Sequence, residues 1–215
     1  MDYAQISDMA AAQGLTIFGG FHPDSSDGCP HGTATMLLFC PAEPGFWPRM
    51  MAEPEMCDHA ADPIDRWSTR VIGALAADLQ GAALFPFGGP PYQPFIAWAA
   101  RTGRAWPSPV GMLVHDRDGL MISIRGAVAL PAHVDLPAPG PRPCEACAAP
   151  CRTACPVVAL GPDGYDVAAC HGFLETAAGA DCMTMGCAAR RACPVSATSG
   201  RLPAQSAYHM RQFHK

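Results

Sequence analysis

The feature that most constrains this chain is the concentration of cysteine towards its C-terminal end. Eight of its 11 cysteines lie in the last third of the sequence, in two groups that each end in Cys-Pro. The first group reads PCEACAAPCRTACP, and the second consists of the cysteine in ACHGFLE and the run DCMTMGCAARRACP. Because a small segment this rich in thiols is organised by disulfides or bound metal, thiol chemistry sets its fold.

The spacing of these cysteines favours iron–sulfur clusters. Four thiolates hold each 4Fe–4S cluster, and the last cysteine of a C-x2-C-x2-C-x3-C-P run binds the other cluster of a pair. The first run here is C-x2-C-x3-C-x3-C-P, one residue longer than that pattern. The crossing rule predicts two ligand sets that use every cysteine of the two groups once. The first set is Cys144, Cys147, Cys151 and Cys193; the second set is Cys155, Cys170, Cys182 and Cys187.

Two other chemistries could use the same thiols. Four cysteine thiolates also satisfy tetrahedral zinc, although zinc sites favour paired C-x2-C hooks and the sequence contains a single one. Disulfides form in oxidising compartments. The sequence favours clusters over zinc and zinc over disulfides, and it leaves the three open.

Composition argues against several classes of protein. The formal net charge of −5 provides no basic surface for nucleic acid. No apolar run approaches the ~20 residues that a membrane span needs. The start of the sequence, MDYAQISDMAAAQG, lacks the basic region of a secretory signal. We therefore expect a cytoplasmic protein, in which thiols stay reduced, with neither nucleic acid nor a membrane as partner.

The other three cysteines lie far from the two groups. Cys40 ends an apolar segment and is predicted to pack in the core. Cys29 and Cys57 lie in polar segments near His31 and His59, without ligand spacing. We expect no metal site at these positions, and their roles stay open.

Predicted strands and helices alternate in the first part of the chain, which indicates an α+β fold. Apolar runs predict strands at 15–21, 33–40 and 81–87, and a hairpin of 111–116 with 119–130. Helical periodicity predicts helices at 3–13, 62–80 and 94–103, and Asp62 is a candidate cap. Proline and glycine make 131–143 a stiff linker. We therefore expect domains at 1–140 and 141–200 and a polar tail at 201–215.

Aromatic residues cluster with glycine and proline between positions 85 and 106. Such a segment is either ordinary core or one wall of a wide apolar pocket for a flat cofactor, which glycines allow to approach closely. His115, further along, is expected to be a satisfied histidine rather than an axial ligand. The candidate cofactor contacts are Phe87, Gly88, Gly89, Tyr92, Trp98 and Trp106.

Several segments resemble known families. AWAARTGRAWPSPVGMLVHDRDG resembles a segment of epoxyqueuosine reductases, and DVAACHGFLET and GCAARRACP continue that resemblance. DPIDRW and HDRDGLMISIRGAVALP resemble the cobalamin-processing decyanase and dealkylase chaperone. These families and the respiratory reductive dehalogenases share a corrinoid-binding, flavin-reductase/nitroreductase-like domain. The reductases and dehalogenases also append a two-cluster ferredoxin module.

The resemblance implies a mixed sheet with flanking helices in a nitroreductase-like, candidate corrinoid-binding domain at 1–140. A ferredoxin-like module at 141–200 would hold two 4Fe–4S clusters and pass electrons to cobalamin. Epoxyqueuosine reductases carry an acidic pair before the tryptophan segment, whereas this chain has FPFGGPPYQPFI there. Arg190 stands near a family ligand position, for which Cys182 would substitute. The implied activity is therefore a corrinoid-linked reductase or cobalamin-processing protein, with no catalytic residue identified.

Two alternatives keep this architecture. The first replaces the corrinoid with FMN, but the sequence offers few arginines and a single lysine, Lys215, for its phosphate. The second is a non-catalytic electron-transfer protein or redox sensor whose first domain is empty. Each would need a redox partner such as a ferredoxin, flavodoxin or reductase. A homodimer follows only by analogy with this fold class.

Overall fold

The chain forms two compact units in a computed structural model that describes residues 1–161 and 164–215. The first unit comprises Met1–Arg104 and Ser123–Pro139, and the second comprises Ala105–Ile122 and Gly140–Lys215. The predicted boundary at residue 140 lies close to the last of these divisions. The structure differs from the prediction because Ala105–Ile122 belongs to the second unit, which contains the two cysteine groups.

Most helices and strands are short, as the many prolines and glycines predict. The strands are β1 (Leu15–Phe21), β2 (Thr35–Pro41), β3 (Ala82–Leu84), β4 (Ala105–Pro107), β5 (Leu113–His115), β6 (Gly126–Leu130), β7 (Leu160–Gly161) and β8 (Gly164–Tyr165). The helices are α1 (Tyr3–Ala12), α2 (Phe46–Ala52), α3 (Pro54–Cys57), α4 (Pro63–Asp78), α5 (Phe95–Arg101), α6 (Cys151–Ala154), α7 (Val167–Leu174), α8 (Ala180–Met185), α9 (Ala188–Ala192), α10 (Pro194–Ala197) and α11 (Pro203–Phe213). A 3₁₀ turn, Ala177–Gly179, precedes α8.

A four-stranded sheet with the order β1-β2-β6-β3 forms the centre of the first unit. Every residue of β2 and β6 is buried. Since successive side chains point to opposite faces of a strand, this pattern means that both faces of the sheet are covered. The α+β class is confirmed. The prediction of a mixed sheet is wrong for the described strands, because each pairing in this sheet is antiparallel.

Helices cover this sheet with the apolar residues that the sequence pattern selects. α4 contacts β3 and β6, and it buries Ile64, Trp67 and Val71. α1 contacts β1 and begins with a capping box between Asp2 and Gln5. Asp62 occupies the predicted N-cap position of α4, but it has left-handed backbone angles and its side chain makes no capping hydrogen bond.

The predicted hairpin of 111–116 with 119–130 is also wrong. His115 and Gly119 do exchange two backbone hydrogen bonds, of 2.9 and 3.1 Å, around the expected turn. Beyond that turn the segments diverge, because β5 pairs with β4 whereas β6 pairs with β2 and β3. β5 and β6 therefore belong to different compact units.

Two segments that looked irregular in the sequence are part of folded structure. Val134, in the proline-rich linker, is buried, and its backbone N–H donates to the Thr35 hydroxyl at 2.9 Å. Residues 203–213, in the predicted polar tail, form α11, which contacts α8 and buries Gln205 and Ser206. No helix in the described ranges has both the length and the apolar character to cross a bilayer.

Candidate metal centres

The four cysteines of the first set line one cavity of the second unit. This cavity has a volume of about 350 Å³, compared with about 30 Å³ for one water in the liquid. Its other walls are mainly small or apolar. Its lining includes Cys144, Cys147, Cys151 and Cys193 together with Ser108, Pro109, Val114, Leu120, Pro143, Ala146 and Val195.

Local structure and packing bring these four thiols to the cavity. Cys144 and Cys147 lie in one turn, in which the Cys147 N–H donates to the Cys144 carbonyl at 3.4 Å. Cys151 begins α6, and Cys193 separates α9 from α10. Because α6 contacts α9, Cys193 meets the earlier run despite its distance along the chain. Cys151 and Cys193 are both buried in one apolar cluster with Val114 and its neighbours.

Backbone N–H groups point at sulfurs of the first set. The Ala149 N–H donates to the Cys147 sulfur at 3.3 Å. The pKa of Cys151 is raised, mainly by burial and also by the thiols of Cys193 and Cys147. Backbone N–H groups of Cys151 and Arg152 donate to its sulfur and offset part of this rise. Burial likewise raises the pKa of Cys144, as do the other three thiols of the set. Thiolates in this site therefore need a cation to stabilise them, as metal ligands do.

The second set also lies within mutual electrostatic reach. Burial raises the pKa of Cys170, and the charges of Cys187 and Cys155 raise it further. Burial and the charge of Cys187 similarly raise the pKa of Cys182. Cys155 accepts a hydrogen bond from the Ala159 N–H at 3.3 Å, and Cys182 accepts one from the Ala188 N–H. Cys170 therefore lies within electrostatic reach of Cys187 and Cys155, and Cys182 within reach of Cys187. Two of the four sulfurs, those of Cys155 and Cys182, accept a backbone hydrogen bond.

Short helices position the second set. Cys170 lies in α7, Cys182 lies in α8, and Cys187 is the residue before α9. The turn between α8 and α9 depends on Gly186, whose φ is +92° and where a Cβ would lie 2.7 Å from the Ser206 side chain. α11, which carries Ser206, therefore packs closely against the turn that precedes Cys187.

The geometry does not correspond to a site for a single ion. No three Cys, His, Asp or Glu side chains of residues 1–161 and 164–215 lie close enough together to hold one metal ion directly. A cluster differs from such a site, because iron and sulfide lie between the thiolates. All 11 cysteines are free thiols in the structure.

The three remaining cysteines belong to the first unit. Cys40 is buried in β2, as predicted, and Cys57 is exposed at the end of α3. The Cys29 thiol donates to the Asp27 carbonyl at 3.9 Å. Burial, with the nearby charge of Asp27, raises the pKa of Cys29 to about 11. Cys29 is therefore protonated at neutral pH, which disfavours its reaction as a nucleophile.

The candidate cofactor contacts do not form one group. Phe87, Gly88, Gly89 and Tyr92 share one loop of the first unit, in which Tyr92 is 68% exposed and a Cβ at Gly89 would meet its ring. Trp98 has 0% exposure, and its indole N–H donates to the Asp27 carbonyl at 2.7 Å. It is therefore a core residue.

Two further candidate residues belong to the second unit. Trp106 lies in β4, and the guanidinium of Arg142 lies 5.9 Å from the centre of its ring. His115 is fully buried, with Nε2 3.3 Å from Asp116 Oδ1 and Nδ1 3.1 Å from Asp118 Oδ2. The expectation of a satisfied histidine at position 115 is consistent with these carboxylates.

Sequence reasoning missed Tyr165, whose side chain hydrogen-bonds with the Cys170 sulfur. Its position shortly before Cys170, a predicted ligand, is the signal that could have identified it. Burial and this hydrogen bond raise the pKa of Tyr165, so its hydroxyl stays protonated. Since a phenol O–H can donate to a thiolate, Tyr165 fits the surroundings of an anionic set.

The turn at Gly119 supports the helix that follows Cys193, and this contact gives a stability prediction. Gly119 has a φ of +58°, and a Cβ there would lie 2.4 Å from the Ser196 backbone nitrogen. We expect Gly119→Ala to lower the free energy of unfolding by about 1–3 kcal/mol, because the added methyl overpacks this contact. Urea unfolding with hydrogen exchange of the second unit measures the effect.

The matched control is Gly172→Ala in α7. A Cβ at Gly172 has nothing within 4 Å, and its φ lies outside the left-handed region. Since alanine favours helix over glycine, this substitution should be neutral or stabilising. Equal losses in the two variants would contradict the role given to Gly119.

Comparison with protein-family models, curated proteins and solved structures gives no match for this chain.

Proposed function

We propose that this chain is an iron–sulfur redox protein in which the first and second sets each hold a 4Fe–4S cluster. One observation carries the proposal: the first set, selected by the crossing rule alone, lines a single cavity. Cys155, the last cysteine of the first run, is outside that lining and acts electrostatically on Cys170 instead.

The surroundings of the thiols support the same proposal. Backbone N–H groups of Ala149 and Ala159 donate to sulfurs of the first and second sets respectively. Hydrogen bonds to ligand sulfurs and the degree of solvent exposure both set the reduction potential of a cluster. Bound clusters would supply single-electron transfer, and the protein's residues would hold them, exclude water and adjust their potentials.

The role of the first unit rests on the resemblance to corrinoid proteins. We propose a nitroreductase-like domain that binds cobalamin and receives electrons from the ferredoxin-like second unit, in a cytoplasmic protein served by a separate redox partner. The candidate contact is the loop with Phe87, Gly88, Gly89 and Tyr92. These residues are partly or fully exposed, whereas Trp98 is buried. FMN in the same place is the alternative ligand.

A second candidate function is favoured by Trp98. Its indole ring is enclosed in the core and its N–H is already satisfied by Asp27. This side chain therefore offers no surface to a corrinoid, which weakens the case for the pocket. The second candidate function is electron transfer or redox sensing by the second unit, with no ligand in the first unit. This function does not require the candidate cofactor contacts.

Titration of the anaerobic, reduced protein separates these functions. Cobalamin or FMN is added in steps while the visible spectrum is followed, and Tyr92→Ala serves as a test of the loop. A spectral change that saturates with one cobalamin per chain and weakens in Tyr92→Ala supports the corrinoid proposal. Iron-loaded protein that responds to neither cofactor supports the electron-transfer alternative.

A further inference from the structure

One side chain in the cavity of the first set differs in chemistry from its neighbours. Apart from the four cysteines, the residues that line this cavity are Ser108 and otherwise proline, valine, leucine and alanine. The Ser108 hydroxyl is therefore the one side-chain oxygen or nitrogen in this lining, among the residues that the structure describes. Ser108 is 9% exposed. A buried hydroxyl in an apolar wall needs a hydrogen-bonding partner, because burial without one costs free energy.

The turn between β4 and β5 holds Ser108 at the cavity. The Ser108 N–H donates to the Met112 carbonyl at 2.9 Å, and the Ser108 carbonyl accepts from the Gly111 N–H at 3.1 Å. Val110, in the same turn, is buried in the apolar cluster that also contains two cysteines of the first set. Both backbone groups of Ser108 are thus satisfied within the turn, and the packing of Val110 anchors this turn beside the predicted ligands.

The hydroxyl of Ser108 uses only part of its hydrogen-bonding capacity. Its oxygen accepts from the Val110 N–H at 3.4 Å. No acceptor in residues 1–161 and 164–215 receives the proton of this hydroxyl. Since a serine hydroxyl rotates to suit its surroundings, the O–H can point into the cavity that the residue lines. An acceptor held inside the cavity would complete the hydrogen bonding of Ser108.

A 4Fe–4S cluster supplies acceptors of this kind. Its sulfides and the thiolates that bind it are anionic sulfurs, and a hydrogen bond to a charged acceptor is stronger than one between neutral groups. Reduction adds negative charge to the cluster, so a donor at one of these sulfurs stabilises the reduced form more than the oxidised form. Hydrogen bonds to the sulfurs are accordingly one determinant of a cluster's reduction potential.

We propose that the Ser108 hydroxyl donates to a sulfur of the cluster held by the first set, and that this hydrogen bond raises the reduction potential of that cluster. This inference rests on the proposed function. Ser108 acts as a donor and not as an iron ligand, because four thiolates already complete the protein ligation of one cluster.

The test uses the full chain, loaded anaerobically with iron and sulfide and titrated with a reductant while the electron paramagnetic resonance signal is followed. Cys187→Ser isolates the first site and Cys193→Ser isolates the second, so each midpoint potential is measured separately. Ser108→Ala removes the hydroxyl, and Ser108→Thr keeps it. The matched control is Ser196→Ala: Ser196 is buried in the same unit and accepts the Leu120 N–H at 2.8 Å, but it does not line the cavity.

A second readout detects the hydrogen bond itself. Electron–nuclear double resonance of the reduced first site, recorded in H₂O and in D₂O, reports exchangeable protons next to the cluster. We expect one such proton to be absent in Ser108→Ala and present in Ser108→Thr. A structural role of Ser108 alone would leave this signal unchanged.

We expect Ser108→Ala to shift the midpoint potential of the first site downwards and to leave that of the second unchanged. Ser108→Thr should recover most of the shift, and Ser196→Ala should cause none. Loss of the first cluster in Ser108→Ala but not in Ser108→Thr would also support the inference. An unchanged potential, equal shifts at both sites, an equal shift in Ser196→Ala, or cluster loss in both Ser108 variants would overturn it. Absence of iron from the unsubstituted chain would instead contradict the proposed function, and with it this inference.

Discussion

Replacing Cys193 by serine is expected to lower the iron content of anaerobically prepared protein from about eight to about four atoms per chain. Cys193 lines the cavity of the first set, and a serine hydroxyl is a much harder ligand than a thiolate. The loss should be confined to one cluster, because the cysteines of the second set are untouched. Iron and acid-labile sulfide analysis measures it. Cys57→Ser, at an exposed thiol outside both sets, is the control and should retain about eight irons.

Paired substitutions test the partition between the sets. Cys144→Ser with Cys193→Ser removes two ligands of one cluster, so about four irons should remain. Cys144→Ser with Cys155→Ser removes one ligand from each, so both clusters should be lost. The opposite result would mean that Cys155 belongs with Cys144 and that the chain does not cross between the sites.

Trp98→Ala is expected to destabilise the first unit by about 3–5 kcal/mol. Trp98 is fully buried, packs its ring 5.0 Å from that of Phe95, and hydrogen-bonds to the loop at Asp27. The substitution therefore removes apolar packing and leaves the Asp27 carbonyl without this donor. Denaturant unfolding followed by hydrogen exchange in the central sheet measures the change.

Tyr92→Ala provides the comparison for Trp98→Ala. Because the Tyr92 side chain is 68% exposed, its removal should change stability by no more than about 0.5 kcal/mol. Trp98→Phe should fall between them, since it keeps most of the ring volume and loses the N–H donor. A stable Trp98→Ala variant that had lost cofactor binding would instead indicate that Trp98 contacts the cofactor.

The sequence predicted best those features that are set by local pattern. The run LTIFGGF coincides with β1, and the periodic residues Ile64, Trp67 and Val71 are buried on α4. The four cysteines of the predicted first set line one cavity, and their role as cluster ligands stays a prediction. These features need no knowledge of what packs against them.

Features that depend on residues distant along the chain were not predicted from the sequence. β6 follows a turn that suits a hairpin, yet it pairs with β2, because the buried sheet offers two flanking strands to its apolar residues. α11 is polar in composition and is fixed by its contact with α8. An aromatic residue in the core and one in a pocket look alike in sequence, so the burial of Trp98 was not foreseeable.

The measurement that tests the central claim most directly is the iron and acid-labile sulfide content of the protein purified without oxygen. Two 4Fe–4S clusters predict about eight iron atoms and about eight sulfides per chain. About two zinc ions per chain with no sulfide would contradict the account, because they would make both sets tetrahedral zinc sites.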